Sequence, residues 1–382
     1  MQLTSQQAEG LIRQGIEELQ QGRPGEARRL FESVTSTGAS NAQLWLLLAT
    51  ACRMGGDAEA EEEAVDKLLA AEPRVIRAHI MKGDCRARAG DETAALGFYT
   101  SAVLIADGER LPDDLLGEIR RIEGVSAEIK ARLEAQREEA LAARGMPAGE
   151  RSLRFQESLD IMARRKRAYF QEPTGYFFPG LTPIQFFNPT DFDWVADVES
   201  ATDAIREELL QLISEGTRDF RPYIVSDANR PRIDDNQLLD NADWSARFLC
   251  ENGKLSDDTI ASCPKTWEAV QAASLPWIAN SPTVMFSLLR AGARINPHTG
   301  THNTRLVCHL PLVVPPNCGF RVGNETREWE EGKLLIFDDT IEHEAWNDSN
   351  RDRVVLIFDI WRPELSEQER AEVGALFSGP LI

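Results

Sequence analysis

No run of roughly 18 apolar residues occurs in the chain, so no segment reads as a membrane-spanning helix. The opening residues, Met1-Gln2-Leu3-Thr4-Ser5, lack the basic stretch and apolar core of a secretory signal. Cysteine is sparse and scattered. The six residues at 52, 85, 250, 263, 308 and 318 form no CxxC pair and no tight framework. Reduced thiols in a cytoplasmic protein are the better reading, with Cys250 and Cys263 the pair that could approach one another. Positive charge is also short: 42 Lys and Arg face 62 Asp and Glu, a net charge of −20. Such a surface repels phosphate backbones and argues against nucleic acid. It does not exclude an anionic small molecule, because a few local arginines can dominate a pocket.

What is present organises the 382 residues into more than one domain, each able to bury a core at 42% hydrophobic content. The first hundred residues repeat every 34 positions. Gly22, Gly56 and Gly90 fall on this grid, as do Gly15, Ala49 and Gly83, and Phe31, Val65 and Tyr99. Ala27 and Ala95 share another grid position, which Glu61 breaks. Small residues at helix crossings, a glycine turn and a large apolar residue in the second helix resemble tetratricopeptide repeats; the alternative is a generic helical bundle. Stacked helix pairs of this kind leave a concave groove suited to a protein partner.

Residues 108–165 stay helical without the period, with one long helix expected over Glu118–Ala143 and a break at Gly145-Met146-Pro147. The basic run Arg164-Arg165-Lys166-Arg167 reads as a solvated face or a partner contact. From Tyr176 the texture changes. A helix is expected over about 200–215, a loop-rich region over 216–282, and strands at about 283–290, 304–313, 318–322, 333–338 and 353–360. Short strands after mixed early elements fit a jelly-roll barrel with helices outside. The divisions are 1–107 helical repeats, 108–169 helical cap and linker, and 170–382 barrel.

The chemistry concentrates in 285–364. His298 and His343 stand 45 residues apart with strand-type sequence between, and Arg353 follows the second by ten. Two imidazoles on separate strands of one small barrel suit a non-haem iron site. An arginine heading an apolar strand needs an anion, as the far carboxylate of a keto acid would provide. The alternative for either histidine alone is a hydrogen-bonded structural residue.

Asn303-Thr304-Arg305-Leu306-Val307-Cys308-His309, Gly323-Asn324-Glu325-Thr326-Arg327-Glu328-Trp329-Glu330-Glu331-Gly332, Ile336-Phe337-Asp338-Asp339 and Glu342-His343-Glu344 resemble the aspartyl/asparaginyl beta-hydroxylases. The close resemblance covers about 80 residues and extends weakly back to about 170. It implies an α+β chain: an N-terminal tetratricopeptide-like solenoid and a C-terminal double-stranded β-helix (jelly-roll or cupin-like) with flanking helices. It also implies an iron(II)- and 2-oxoglutarate-dependent dioxygenase. Such an enzyme hydroxylates the β-carbon of an aspartyl, asparaginyl or related unit that is free, carrier-bound or within a peptide, with succinate and carbon dioxide as co-products. The rivals are a repeat scaffold with an inactive barrel and a cupin-like binding protein using another metal.

By resemblance, His298 and His343 are the metal ligands, and Arg353, Ser287 and His309 hold the co-substrate; a third metal ligand is the alternative for His309. The carboxylate that many related oxygenases carry two residues after the first histidine is Gly300 here, a position the resembled family leaves to water. Asp339 binds that water or is a turn aspartate. Arg305 and Arg294, or Arg290, are candidates for gripping substrate, since Val307 replaces an arginine of better-known members. Trp244, expected in a loop, lines the pocket or packs on the barrel. Glu325, Arg327, Trp329 and Glu331 read as fold determinants, and His79 and His302 as structural.

Overall fold

The structure, a computed structural model, describes residues 4–38, 40–216, 220–226, 237–278 and 280–378. It divides into two compact units, Met1–Ser152 and Leu153–Ile382.

The first unit holds three antiparallel helix pairs, α1 (Ser5–Gln20) with α2 (Pro24–Thr35), α3 (Ala42–Gly55) with α4 (Ala58–Ala71), and α5 (Ile76–Arg88) with α6 (Glu92–Ala106). The 34-residue period maps onto them. Each pair turns at a glycine, Gly22, Gly56 or Gly90, with φ of +70°, +75° and +79°, a region that disfavours side chains with a Cβ. Asn41, Asp57 and Asp91 then cap α3, α4 and α6 by accepting from the backbone N–H three residues on. Small residues face large ones within a pair. A methyl group on Gly15 would overlap the Phe31 ring, and one on Gly83 would overlap Tyr99. In the middle pair both partners are intermediate, Ala49 and Val65, and both are buried.

Glu61, the break in the small-residue pattern, is fully buried, and its carboxylate is held by Arg53 at 2.7 Å and by Arg88. A charge at that depth persists only when paired in this way. A 31-residue helix, α7 (Asp113–Ala143), longer than the expected Glu118–Ala143, closes the array by packing Ile119, Ile122 and Ile129 with Tyr99 and Ala102 of α6.

The second unit begins with α8 (Leu153–Met162), β1 (Phe186–Phe187), α9 (Val195–Ser200) and α10 (Thr202–Glu215). β2 (Arg221–Pro222), β3 (Trp244–Glu251), β4 (Lys254–Leu255), α11 (Asp257–Ser262) and α12 (Pro264–Val270) follow. Then come β5 (Val284–Leu289), β6 (Arg294–His298), β7 (Arg305–Val313), β8 (Cys318–Val322), β9 (Glu325–Arg327), β10 (Leu335–Phe337), β11 (His343–Asn347), β12 (Arg353–Trp361) and α13 (Glu367–Ser378).

Two antiparallel sheets result. The larger runs β1-β10-β7-β12-β5-β3-β2 with β4 beside β3, and the smaller runs β6-β11-β8-β9. Alternation along the strands divides their side chains between two cores. Val284, Phe286, Leu306, Leu310, Leu356 and Phe358 pack with Val198, Ile205 and Leu209 of the helices. Leu289, Val307, Phe337 and Val355 pack instead with Ile295, Phe320, Val322 and Ala345 of the smaller sheet. The α+β architecture matches the expected helical repeats followed by a two-sheet barrel.

The clearest departure is β3, inside the stretch expected to be loop. Trp244-Ser245-Ala246-Arg247-Phe248-Leu249-Cys250 is nearly all buried, and hydrophobic alternation vanishes when a strand is covered on both faces. Trp244 therefore stands on a strand of the main sheet. β6 is a second strand outside the expected set, because Arg294, Asn296 and Pro297 leave only Ile295 as an apolar signal. All six cysteines are buried and none is in a disulfide, so Cys250 and Cys263 are not bridged.

The small-to-large pairing predicts a selective penalty. Gly15→Ala and Gly83→Ala should each destabilise the repeat unit by about 1–3 kcal/mol through overpacking. Gly97→Ala, in a helix with open space at its Cβ, should be neutral or stabilising by about 0.5–1 kcal/mol. Thermal unfolding followed by circular dichroism gives the comparison; equal effects at all three sites would refute the packing account.

Candidate active site

A cavity of about 280 Å³ opens between the two sheets, and every strand that reaches it contributes inward-facing side chains. β11 pairs with β6 so that His343 stands opposite His298. Their ring centroids are 4.1 Å apart. His298 Nδ1 lies 2.8 Å from the Asn296 carbonyl, and His343 Nδ1 lies 3.1 Å from that of Ile341. A carbonyl only accepts, so each Nδ1 carries the proton and each Nε2 keeps its lone pair. Burial, then the neighbouring His298, pushes His343 down to about 3, and burial lowers His298. Both rings are neutral at physiological pH, the form that binds a cation.

Gly300 explains the shape of the site beside them. A side chain there would overlap the carboxylate of Asp339, and the Gly300 N–H donates to the Asp339 carbonyl at 2.7 Å. Asp339 thus fills the space where a carboxylate carried by residue 300 would have to stand. An aspartate introduced at 300 would fit only by expelling Asp339. Asp339 Oδ1 is buried without a hydrogen-bond partner, and burial, partly offset by Arg305, pushes the group up to about 7. The adjacent Asp338 is different: it is fully buried and ion-paired with Arg362 at 2.7 Å, and it accepts from Thr340 N. Of the two consecutive acids, one holds the fold and the other faces the cavity.

Arg353 occupies the far end of the cavity. Its side chain is 1% exposed, its guanidinium stacks 4.7 Å from the Trp329 ring, and its Nε and Nη1 have no hydrogen-bond partner among the described residues. Burial pushes it down to about 10, which still leaves it charged. A guanidinium closed off in this way is a receptor for an anion. His309, one strand away, has an unpartnered buried Nδ1, and burial next to Arg353 holds it well below the usual imidazole range. Ser287 is fully buried; its Oγ accepts from Trp244 Nε1 at 3.1 Å, which leaves its hydroxyl proton free to donate.

The remaining expected residues divide. Arg305 lines the cavity, as does Trp244, which stacks on Tyr223 with centroids 4.3 Å apart. Arg294 does not. It neighbours the inward Ile295 on β6, so it points outward, where it is exposed and ion-paired with Asp348. Arg290 is exposed as well. His79 sits in α5, and His302 packs against Phe377 outside the cavity. Trp329, expected to be only a fold determinant, is the platform beneath Arg353. Tyr223, Thr283 and Asp359 were not singled out from sequence, although Asp359 shares the inward parity of Arg353 on β12 and could have been found by counting in twos.

Among the described residues no group of three or more His, Cys, Asp and Glu side chains has metal-binding geometry. The donor set offered to a metal is the His298–His343 pair. It leaves room for small ligands, and the Asp339 carboxylate and the Arg353 guanidinium line the same cavity.

Comparison with known proteins agrees with these parts. Residues 199–363 match the family model described as aspartyl/asparaginyl beta-hydroxylase, and residues 12–75 match a tetratricopeptide repeat model. The chain is 35% identical over 205 residues to the aspartyl/asparaginyl beta-hydroxylase of Mus musculus, 53% of this chain and 26% of that protein. It is 36% identical over 180 residues to the ornithine lipid ester-linked acyl 2-hydroxylase of Rhizobium tropici, 46% of this chain and 60% of that protein. The chain therefore spans about a quarter of the mouse protein and three fifths of the rhizobial one. A solved structure, PcrH from Pseudomonas aeruginosa, resembles 33% of this chain over 94% of its own, with a TM-score of 0.30 and 17% identity. The resemblance to the hydroxylase family and to tetratricopeptide repeats thus stands.

The interlocking of residues 300 and 339 gives a test. Gly300→Ala should destabilise the protein by about 1–3 kcal/mol, and most of that loss should vanish when Asp339→Gly is added. Denaturant unfolding of the two single variants and the double variant measures the coupling. Additive effects would mean that the two side chains do not share one space.

Proposed function

We propose that the second unit is an iron(II)- and 2-oxoglutarate-dependent dioxygenase that hydroxylates a C–H bond. The observation that carries this reading is the coexistence, in one cavity, of two neutral histidines with free Nε2 lone pairs and a buried arginine with unspent donors. His298 and His343 would hold the iron, and their backbone partners at Asn296 and Ile341 would keep the rings oriented. Arg353 would take the far carboxylate of 2-oxoglutarate with help from the Ser287 hydroxyl, and His309 would meet the other carboxylate. Asp339, whose carboxylate fills the space a side chain at 300 would take, would accept a hydrogen bond from a water held beside the two histidines. With dioxygen as the oxidant, a bound iron would supply the chemistry that places one oxygen atom in the C–H bond and the other in the keto acid, which would leave as succinate and carbon dioxide. Phe320, Phe337 and Ile357 would give the reacting end apolar walls, while His298 stays exposed at its mouth.

The relatives are named for amino-acid and lipid-linked acyl substrates, which supports an acyl or amino-acid unit as the target: the β-carbon of an aspartyl, asparaginyl or related residue, free, carrier-bound or peptidyl. Among the described residues the helical repeats carry no comparable constellation, so their role in this reading is to receive a protein partner or deliver the substrate. Six unbridged thiols are consistent with a reducing compartment such as the cytoplasm.

Two expectations follow. His298→Ala and His343→Ala should each abolish iron binding and succinate formation, because a two-residue donor set has no spare. Arg353→Ala should leave iron affinity almost unchanged but weaken 2-oxoglutarate binding by an amount on the order of 3–5 kcal/mol. Iron and keto-acid titrations of the three variants separate these roles; loss of iron with unaltered oxoglutarate dependence in Arg353→Ala would make Arg353 structural.

The division of labour is tested with a chain beginning at Leu153. It should fold, couple oxoglutarate consumption to iron, and act normally on a small free amino-acid substrate while losing activity on a larger one. Undiminished activity on a peptide or carrier-bound substrate would remove the delivery role from the repeats.

A further inference from the structure

The two arginines lining the cavity, among the described residues, serve opposite ends of it. Arg353 and Asp359 both face inward on β12, six residues apart, a separation of about 20 Å along an extended strand. His309, opposite Ile357 on the neighbouring strand, lies between them and is linked to His343 through the Phe337 ring, whereas Asp339 lies nearer Arg305, its carbonyl accepting from Gly300 N–H beside Thr301, the residue Arg305 Nη2 reaches. If Arg353 serves the co-substrate, the substrate unit must enter at the Arg305–Asp359 end.

That end has no spare positive charge. Arg305 Nη1 is held by Asp359 Oδ2 at 2.8 Å and its Nη2 donates to Thr301 Oγ1 at 3.1 Å. Val307, between Arg305 and His309 on the inward face of β7, brings no charge. Two unspent groups remain. Arg305 Nε is buried with no hydrogen-bond partner. Asp359 receives Arg305, Ser281 Oγ and Thr283 N all on Oδ2, so Oδ1 keeps its lone pairs among the described residues. One donor and one acceptor on a pair of zero net charge match a group that itself accepts and donates while remaining neutral.

We infer that the Arg305–Asp359 end of the cavity selects a substrate unit bearing a neutral carboxamide over the matching carboxylate. This rests on the functional reading above only for which end the substrate occupies. The carboxamide oxygen accepts from Arg305 Nε and its NH2 donates to Asp359 Oδ1. A carboxylate satisfies the first contact but turns an acceptor on Asp359 and brings a negative charge against that acid. Discrimination of this kind comes from repulsion of the wrong group as much as from attraction of the right one.

Saturation-transfer NMR of the full chain with N-acetyl-asparagine N-methylamide and N-acetyl-aspartate N-methylamide near pH 7.5 reads the preference without requiring turnover. The amide probe should bind more tightly by about tenfold or more, as expected where a site hydrogen-bonds one group and leaves a charge opposed in the other. Asp359→Asn frees Arg305 and should erase or reverse the ratio. Because Asp359 also tethers Ser281 and Thr283, Val307→Arg serves as a second variant, adding a cation without touching that network, and should raise carboxylate binding in the same direction. Equal or tighter binding of the acid by the unmodified chain, no binding of either probe, or a ratio unmoved in folded variants overturns the inference. Succinate formation by the same unmodified protein with iron and 2-oxoglutarate but no substrate is measured in parallel. Its absence counts against the functional reading and leaves the probe ratio to be judged by itself.

Discussion

A guanidinium sealed inside an apolar barrel with two of its donors unpaired is the constraint around which the second unit is arranged. Burying a charge without an anion is costly, and Arg353 offsets only part of that cost by stacking on Trp329. The sheets gain nothing in stability from keeping it. Its presence makes sense if an anion completes the site, and the histidines, Ser287 and Asp339 are disposed along the same cavity toward that end. The outer face of the large sheet, by contrast, is ordinary: Val, Leu and Phe side chains pack on the helices and hold the strands in register.

The register of β6 against β11 matters equally. A β-bulge between His343 and Ala345 breaks the plain alternation, so that Ile295 and His298, three residues apart on β6, both line the cavity and His298 meets His343. The pairing is supported from outside by Arg321, which is ion-paired with both Glu342 and Glu344 flanking His343. The charged residues around the second histidine therefore lock the strand that presents it.

Much of this was legible in the sequence. The 34-residue grid located the helix pairs, because a glycine with positive φ and a small residue opposite a large one leave strong local marks. The two histidines and Arg353 stood out because they sit in segments that resemble the hydroxylase family in the right order, whereas either histidine alone would have read as structural. What stayed hidden was set by the third dimension. β3 lost its alternation through burial on both faces, and β6 through its polar and proline residues. Which acid of Asp338-Asp339 faces the cavity depends on Arg362, 24 residues away. The space shared by Gly300 and Asp339 is likewise invisible along the chain, and Arg294 looked eligible until strand parity turned it outward.

The two units have different physical origins of stability. The repeats hold together through neighbour-to-neighbour packing and ion pairs, while the barrel depends on pairings between strands distant in sequence. The central claim belongs to the barrel alone, and an anaerobic titration of the full chain with iron(II) and then 2-oxoglutarate tests it most directly. The visible absorption of an iron–keto-acid chelate should appear, saturate at equimolar keto acid and require the iron. Tight iron binding with no such chelate, or 2-oxoglutarate binding indifferent to iron, would contradict the account.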